Sequence, residues 1–283
     1  MQFSLDSLKG QVAIVTGGGG GMGRSMALGL LDAGASVVVA DFNAQSLSEL
    51  QAANKSDRLH CIAIDLSQRD AGETVVAFAL KQCGRLDAVV NNAGLGRHSI
   101  KNDVFENPPK FWETPPALWE KFIGVNTNAP FFLMRAAIPH LMAQRHGRIV
   151  NVTTSLDSML RGGMSPYGPS KACTEALTSV AAHDLQGTGV TANVIVPGGT
   201  VDTGMVPAHV PIVREKLLRP EIMVAPLLWL LSDHGANTTN MRFRANLWDP
   251  SAPVAQALAA SGQPVGWPAV AQGQMVNTVT LKS

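Results

Sequence analysis

A single tyrosine occurs in the 283 residues, at position 167, and Lys171 follows it in Tyr167-Gly168-Pro169-Ser170-Lys171. On a helix, residues four apart share a face about one turn from each other. A phenol beside an ammonium is an acid/base pair, because the cation favours the phenolate. Such a pair can exchange a proton with an oxygen of a small molecule. The spacing alone is common, and a surface helix would carry it equally well. Its meaning rests on the elements around it.

The first of these is at the start of the chain. Val12-Ala13-Ile14-Val15 is a short apolar run, the pattern of a strand buried on both faces. Thr16 and five glycines, Gly17 to Gly21, follow, and then Met22, Met26, Leu30 and Leu31 recur at helical spacing until Gly34. A flexible linker would not sit between a buried strand and an amphipathic helix. Gly17, Gly21 and Gly23 permit a tight turn, and the helix beginning near Met22 offers N–H groups and a positive dipole end to a pyrophosphate. Val37 to Ala40 reads as a second buried strand ending at Asp41-Phe42, 18 positions after Gly23 at Asp41. A carboxylate there accepts hydrogen bonds from ribose hydroxyls and repels a 2′-phosphate. No Arg or Lys among Gly17 to Gly21 or directly after Asp41 offsets it, which favours NAD over NADP.

The spacing Thr16-Gly17-x-x-x-Gly21-x-Gly23 resembles the T-G-x-x-x-G-x-G of the short-chain dehydrogenase/reductase family. The resemblance extends through most of the chain, from Thr16 to Thr203. Leu59 to Ile64 reads as a third strand ending at Asp65-Leu66, and the family implies adenine contacts for both residues. Asp87 to Val90 leads into Asn91-Asn92-Ala93-Gly94, matching the family's N-N-A-G element. It implies a structural Asn91 and cofactor contacts at Asn92, Ala93 and Gly94. Asn126 matches the asparagine of the central helix, implied to hold a water that links the lysine to solvent. Gly147 to Val152 reads as a fifth strand, followed by Thr153-Thr154-Ser155. The family's serine falls 13 residues before the tyrosine; that position is Thr154, a departure, with Ser155 as the alternative. Val190 to Ile195 reads as a sixth strand, and Pro197-Gly198 matches the element beside the nicotinamide. Val201 and Thr203 are implied contacts to carboxamide and phosphate, with Thr200 competing for either role. The usual T-G and D-G-G near the seventh strand, Met241 to Leu247, are replaced by Thr239-Asn240 and Asp249-Pro250-Ser251.

Strands alternating with helices predict an α/β fold with a Rossmann-type, doubly wound, seven-stranded parallel sheet in a single domain. That domain is expected over 1–250, with a C-terminal extension over 251–283. Two loops are expected near substrate: 95–117, rich in proline and aromatics, and 204–222, with Pro207, Pro211 and Pro220. The first reads as irregular, either a pocket wall or a subunit contact, and its aromatic, proline-rich character, with scarce charge near the expected pocket, points to a fairly apolar substrate.

A net charge of +1 without blocks of like charge argues against nucleic acid or an anionic membrane as partner. No apolar run reaches the ~18 residues that span a bilayer. Met1 to Gly10 shows no secretory signal, and a cytoplasmic protein is expected. Cys61, Cys83 and Cys173 are predicted to be buried free thiols, with no metal site. The resemblance implies an NAD-dependent interconversion of a secondary alcohol and a ketone in a homotetramer or homodimer. Tyr167 would be the base and Thr154 or Ser155 would hold the substrate oxygen. Lys171 would lower the phenol's pKa and, with Tyr167, contact the cofactor. The alternatives are an epimerase or enoyl reductase on the same site, or an NAD-binding sensor whose site is vestigial.

Overall fold

The computed structural model describes residues 7–207, 209–210 and 212–267. Pro211 and the chain beyond Trp267, expected to form part of a substrate loop and of the extension, lie outside the described residues.

The apolar runs read as strands do form strands, buried in the interior of the sheet and mostly half-buried in the edge strand at Leu59–Ala63. In chain order the elements begin β1 (Val12–Thr16), α1 (Gly21–Asp32), β2 (Ser36–Asp41), α2 (Ala44–Ala53), β3 (Leu59–Ala63), α3 (Ala71–Cys83) and β4 (Ala88–Asn91). They continue with α4 (Pro116–Ile123), α5 (Ala129–Ala143), β5 (Gly147–Val152), α6 (Leu156–Leu160), α7 (Tyr167–Asp184), β6 (Val190–Val196) and α8 (Val224–Leu231). The last are β7 (Met241–Arg244), α9 (Val254–Ser261) and β8 (Gly262–Pro264). The sheet order is β3-β2-β1-β4-β5-β6-β7-β8. Ile14 lies between Val38 on β2 and Val89 on β4, so the order reverses direction at β1 and β4. That reversal opens a crevice at the carboxyl ends of the strands, where ligands bind in such sheets.

Both faces of the sheet are covered. On one, Met26 and Leu30 of α1 pack with Leu227 and Trp229 of α8. On the other, Val75 and Ala79 of α3 pack with Leu133, Ala137 and Leu141 of α5. This single-domain, doubly wound arrangement is the predicted one. The strand count is not: the described residues form eight strands, and β8 pairs antiparallel with β7 through Phe243 and Gly262. The eighth comes from the expected extension, which supplies α9 and β8 to the same sheet. Pro264 is tolerated because β8 is an edge.

Three local readings also change. Arg97–Ser99 and Phe111–Glu113 form 3-10 turns in the loop read as irregular, and α4 begins at Pro116, where the missing N–H is not needed. The central helix is split by a π-helical turn over Gly124–Asn128, which carries Asn126. Strand β7 ends at Arg244, because Ala245–Leu247 turn into a 3-10 helix. The thiols are free, but Cys173 is exposed on α7, and Cys61 and Cys83 are half-buried.

Trp229, Phe243 and Trp248 join α8, β7 and the segment beyond it, with ring centroids 5.9–6.2 Å apart. Tilted and edge-on contacts of this kind add to area burial. Trp248→Ala is expected to lower the unfolding free energy by about 3–5 kcal/mol, read as a shift in the urea midpoint.

Candidate active site

At the end of β1 the chain turns sharply, with Gly17 at φ +65°. A Cβ on Gly17 would sit 2.7 Å from the Cα of Ala93, and one on Gly23 would sit 2.1 Å from the Gly17 carbonyl oxygen. Both positions therefore require glycine. Thr16 holds the two strand ends together: its Oγ1 accepts from the N–H groups of Asn92 and Ala93, each at 3.0 Å. Asn92 donates through Nδ2 to the carbonyls of Thr16 and Gly17, so its amide buttresses the turn. Asn91 donates to Asn151 Oδ1 at 2.8 Å and ties β4 to β5.

Beside the turn lies a cleft of about 1380 Å³. Gly17, Gly21, Met22, Asp41, Phe42, Asp65, Leu66, Asn92, Ala93, Gly94 and Thr203 line it, all of them sequence-predicted cofactor residues. Gly23 instead packs beneath the turn, and Pro197, Gly198 and Val201 do not line this cleft. Val201 bridges to Leu218, and Pro197 accepts from the Asn246 N–H at 3.1 Å. Thr203 lies over Gly21, its methyl group 3.1 Å from where a Cβ would be. No side chain caps the N-terminus of α1, which opens into the cleft at Gly20–Gly21. Asp41 is buried, and its carboxylate accepts from the N–H groups of Gly19 and Asn43 at 3.0 Å each. Asp65 accepts from Ser67 and Gln68, and the Ser67 N–H in particular holds its carboxyl below the usual carboxylate range. A side-chain-free cradle, an uncapped helix end and an anchored carboxylate fit a dinucleotide.

Helix α7 opens at Tyr167, which makes the one-turn spacing to Lys171 real. Lys171 is buried, its Nζ donates to the Val152 carbonyl at 3.0 Å, and burial brings its pKa down to about 8. A Cβ on Gly94, which lines the cleft, would begin 3.1 Å from that Nζ, although neither Lys171 nor Tyr167 lines the cleft itself. Tyr167 is half-buried, and Thr154 lies close enough to its hydroxyl to favour the phenolate. Its pKa is raised, against the sequence expectation, because burial outweighs the opposing influences of Thr154 and the charge of Arg97; Lys171, expected to lower it, is not among those influences.

The two neighbouring hydroxyls separate in space. Thr154 meets the phenol, whereas Ser155 caps α6, accepting from the Ser158 N–H and donating to Ser158 Oγ. Asn126 is fully buried. Its Oδ1 accepts from the Leu95 N–H at 2.7 Å, and its Nδ2 donates to the Leu95 carbonyl and to Ser170 Oγ. Its carbonyl accepts from Thr174 Oγ1. The side chain thus fixes the chain just beyond Gly94. π-Helical turns often occur at such functional positions.

One cation near the phenol is outside the sequence reading. Arg97 stacks on Phe105 with its guanidinium 5.1 Å from the ring centroid, and donates to the Val104 carbonyl. Burial and the nearby Arg161 depress its pKa, and its charge favours the tyrosinate. Only its place after the N-N-A-G element could have signalled this. Phe111 and Trp112 of the same loop are exposed and form no wall within this chain.

Residues 11–211 match the family model for short chain dehydrogenases. The chain belongs to the short chain dehydrogenase family. It is 34% identical to 3beta-hydroxysteroid dehydrogenase 2 of Eggerthella lenta over 196 residues, 68% of this chain and 72% of that one. It is 31% identical to gluconate 5-dehydrogenase of Gluconobacter oxydans, covering 69% of this chain and 73% of that one. Among solved structures, a short chain dehydrogenase of Shigella flexneri complexed with NADP matches at 27% identity and TM-score 0.74, covering 86% of this chain and 100% of that one. The 3-ketoacyl-(acyl-carrier-protein) reductase of Brucella melitensis, complexed with NADH, shares the fold at 24% identity and TM-score 0.71, covering 82% of this chain and 95% of that one. This short chain dehydrogenase is therefore an oxidoreductase acting on small molecules. Among its described residues no helix is long and apolar enough to cross a membrane, and no group of three His, Cys, Asp or Glu side chains could hold a metal ion.

The lysine carries a stability signature. Its pKa falls from 10.5 to about 8 on folding, so between those values the unfolded chain binds more protons. This group therefore makes stability rise with pH across that window, and lose the gain as pH falls back through 8. Lys171→Met should flatten the slope in denaturant titrations over the same range.

Proposed function

We propose that this short chain dehydrogenase interconverts a secondary alcohol and a ketone, with NAD as hydride carrier and Tyr167 as the acid/base. The carrying observation is that Tyr167 opens α7 with Lys171 buried one helical turn away and Thr154 beside the phenol. Two hydroxyls placed side by side can both bind one substrate oxygen.

A bound nicotinamide supplies the hydride chemistry. The protein's part is the proton and the placement. In the oxidation direction Tyr167 takes the hydroxyl proton of the alcohol, and in reduction it returns one to the carbonyl oxygen. Thr154 donates a hydrogen bond to that oxygen as charge develops on it. The charge of Arg97 favours the phenolate that burial disfavours, and Lys171 is held in place by the Val152 carbonyl. Lys171 also reaches the cofactor past Gly94, and Asn126 keeps that backbone in place. Pro197, Gly198 and Val201 would border the nicotinamide, and Thr203 the phosphates.

Asp41 supports NAD over NADP. Its carboxylate is tied to two backbone N–H groups and cannot turn away from a 2′-phosphate. The resemblance to the family supports a homodimer or homotetramer in the cytoplasm. The exposed Phe111 and Trp112 favour a subunit contact as the role of that loop tip.

The test is a panel of secondary alcohols with NAD⁺, followed by absorbance of the reduced cofactor. Tyr167→Phe should lower kcat by about 10²–10⁴-fold. Thr154→Val should lower it by about 10²-fold, while Thr154→Ser keeps most of it. Ser155→Ala should cost about 1 kcal/mol of stability as a lost cap and leave turnover intact. Oxidation should speed up as pH rises and Tyr167 loses its proton, and reduction should slow down. Near-wild-type turnover in Tyr167→Phe would sink the proposal. Asp41→Ser should narrow the ratio of NAD to NADP affinities, measured by fluorescence titration; an unchanged ratio removes Asp41 as its determinant.

A further inference from the structure

Two buried charges lie behind the site rather than in it. Glu175 is on α7, one turn beyond Lys171, and is 0% exposed; Arg242 is on β7 and is 2% exposed. Arg242 Nε donates to Glu175 Oε1 at 2.8 Å, and its Nη2 donates to the Thr154 carbonyl at 2.7 Å. Glu175 Oε2 accepts from Thr153 Oγ1 at 2.7 Å, and its Oε1 also accepts from the Gly266 N–H at 3.1 Å. The pair thus grips two consecutive residues where β5 leaves the sheet. It joins them to the helix that carries Tyr167 and Lys171, and to the segment following β8.

A buried ion pair is a poor source of stability, since desolvation offsets the attraction between its charges. Its value lies in geometry, because the planar guanidinium fork holds two acceptors at fixed angles. What it fixes here is the peptide of Thr154. The threonine side chain is β-branched and stiff at χ1, so the direction of its hydroxyl follows its backbone closely. The serine of the family would have more rotamers with which to absorb a backbone error.

We infer that Arg242 and Glu175 are positioning residues for the reaction, which aim the Thr154 hydroxyl at the oxygen held by Tyr167. The inference rests on the role given to Thr154 in the proposed function. It also explains why a pair of buried charges is kept where apolar side chains would pack.

The test is a double-mutant cycle. Arg242→Met alone strands the Glu175 charge and is expected to destabilise the fold strongly, so the pair is neutralised together as Glu175→Gln/Arg242→Met. This variant should give a native circular dichroism spectrum and bind NADH with unchanged affinity. Its kcat should fall by about tenfold or more, as expected when a hydrogen-bond donor to the reacting oxygen is misaligned. Arg242→Lys keeps the charge but cannot span both acceptors, and should fall between. Placed on Thr154→Val, the same pair change should cost less than about twofold further, because it acts through a hydroxyl already gone. Wild-type kcat in the folded pair variant overturns the inference. So does a full multiplicative loss on the Thr154→Val background, since a merely structural role would behave that way. If Thr154→Val itself keeps wild-type kcat, the assignment of Thr154 falls, and the clamp with it.

Discussion

The backbones of Gly17 and Ala93 approach so closely that no side chain fits between them, and the cofactor cleft exists because of that approach. It occurs where β1 lies between β2 and β4, the point at which the sheet order reverses. Two parallel strands ending side by side would leave unpaired N–H groups pointing out of the sheet. The Thr16 hydroxyl accepts two of them, from Asn92 and Ala93, and the Asn92 amide returns two bonds to the turn. The same junction aims α1 at the cleft and sends the chain past Gly94 towards Lys171. Asn126 then pins Leu95 from the central helix. The short stretch Asn91 to Leu95 thus joins the glycine turn to the π-helical turn that carries Asn126.

The second constraint is charge in a dry setting. Burial depresses Lys171 and Arg97 and raises Tyr167, so every group around the phenol is driven towards its neutral form. The neighbouring Thr154 and the charge of Arg97 act the other way. The phenol therefore sits between opposing influences, the condition in which a ligand charge moves a proton readily. Rigid placement makes this workable. Lys171 is held by a carbonyl of β5, and Thr154 by a guanidinium from β7, so both sides of the proton-transfer pair are anchored in the sheet.

Much of this was legible in the sequence, for identifiable reasons. Val12 to Val15 and Val37 to Ala40 read as strands because both faces are buried, and the glycine run has meaning only between such a strand and a helix. Thr154 and Ser155 could not be separated, because the residue that tells them apart is Ser158, in a five-residue helix with no periodic signal. The π-helical turn at Asn126 leaves the apolar spacing almost unchanged and so was hidden. Strand β8 is three residues, Gly262-Gln263-Pro264, a composition that reads as a turn; only pairing with β7 makes it a strand. Arg242 and Glu175 are 67 residues apart, and Arg97 is 70 from Tyr167. Contacts at that range leave no trace in spacing.

The segments over the site are fastened mainly to one another. Thr114 bonds Ser165, Pro108 packs against Gly163, and His209 meets the Asn102 carbonyl. After β6, Asp202 pairs with Arg214 and Arg219 within its own loop. These are exposed or half-exposed contacts, individually weak. The proton-transfer groups draw their positions from β5, β7 and α7 instead, through buried bonds. Under the proposed function, chemistry and substrate choice would rest on separate supports, and sequence change in 95–117 or 204–222 would reshape what is admitted without moving Tyr167, Lys171 or Thr154. Arg97 is the exception, because one loop side chain both stacks on Phe105 and biases the phenol. Through it, alteration of the substrate loop reaches the acid/base group by charge rather than by displacement.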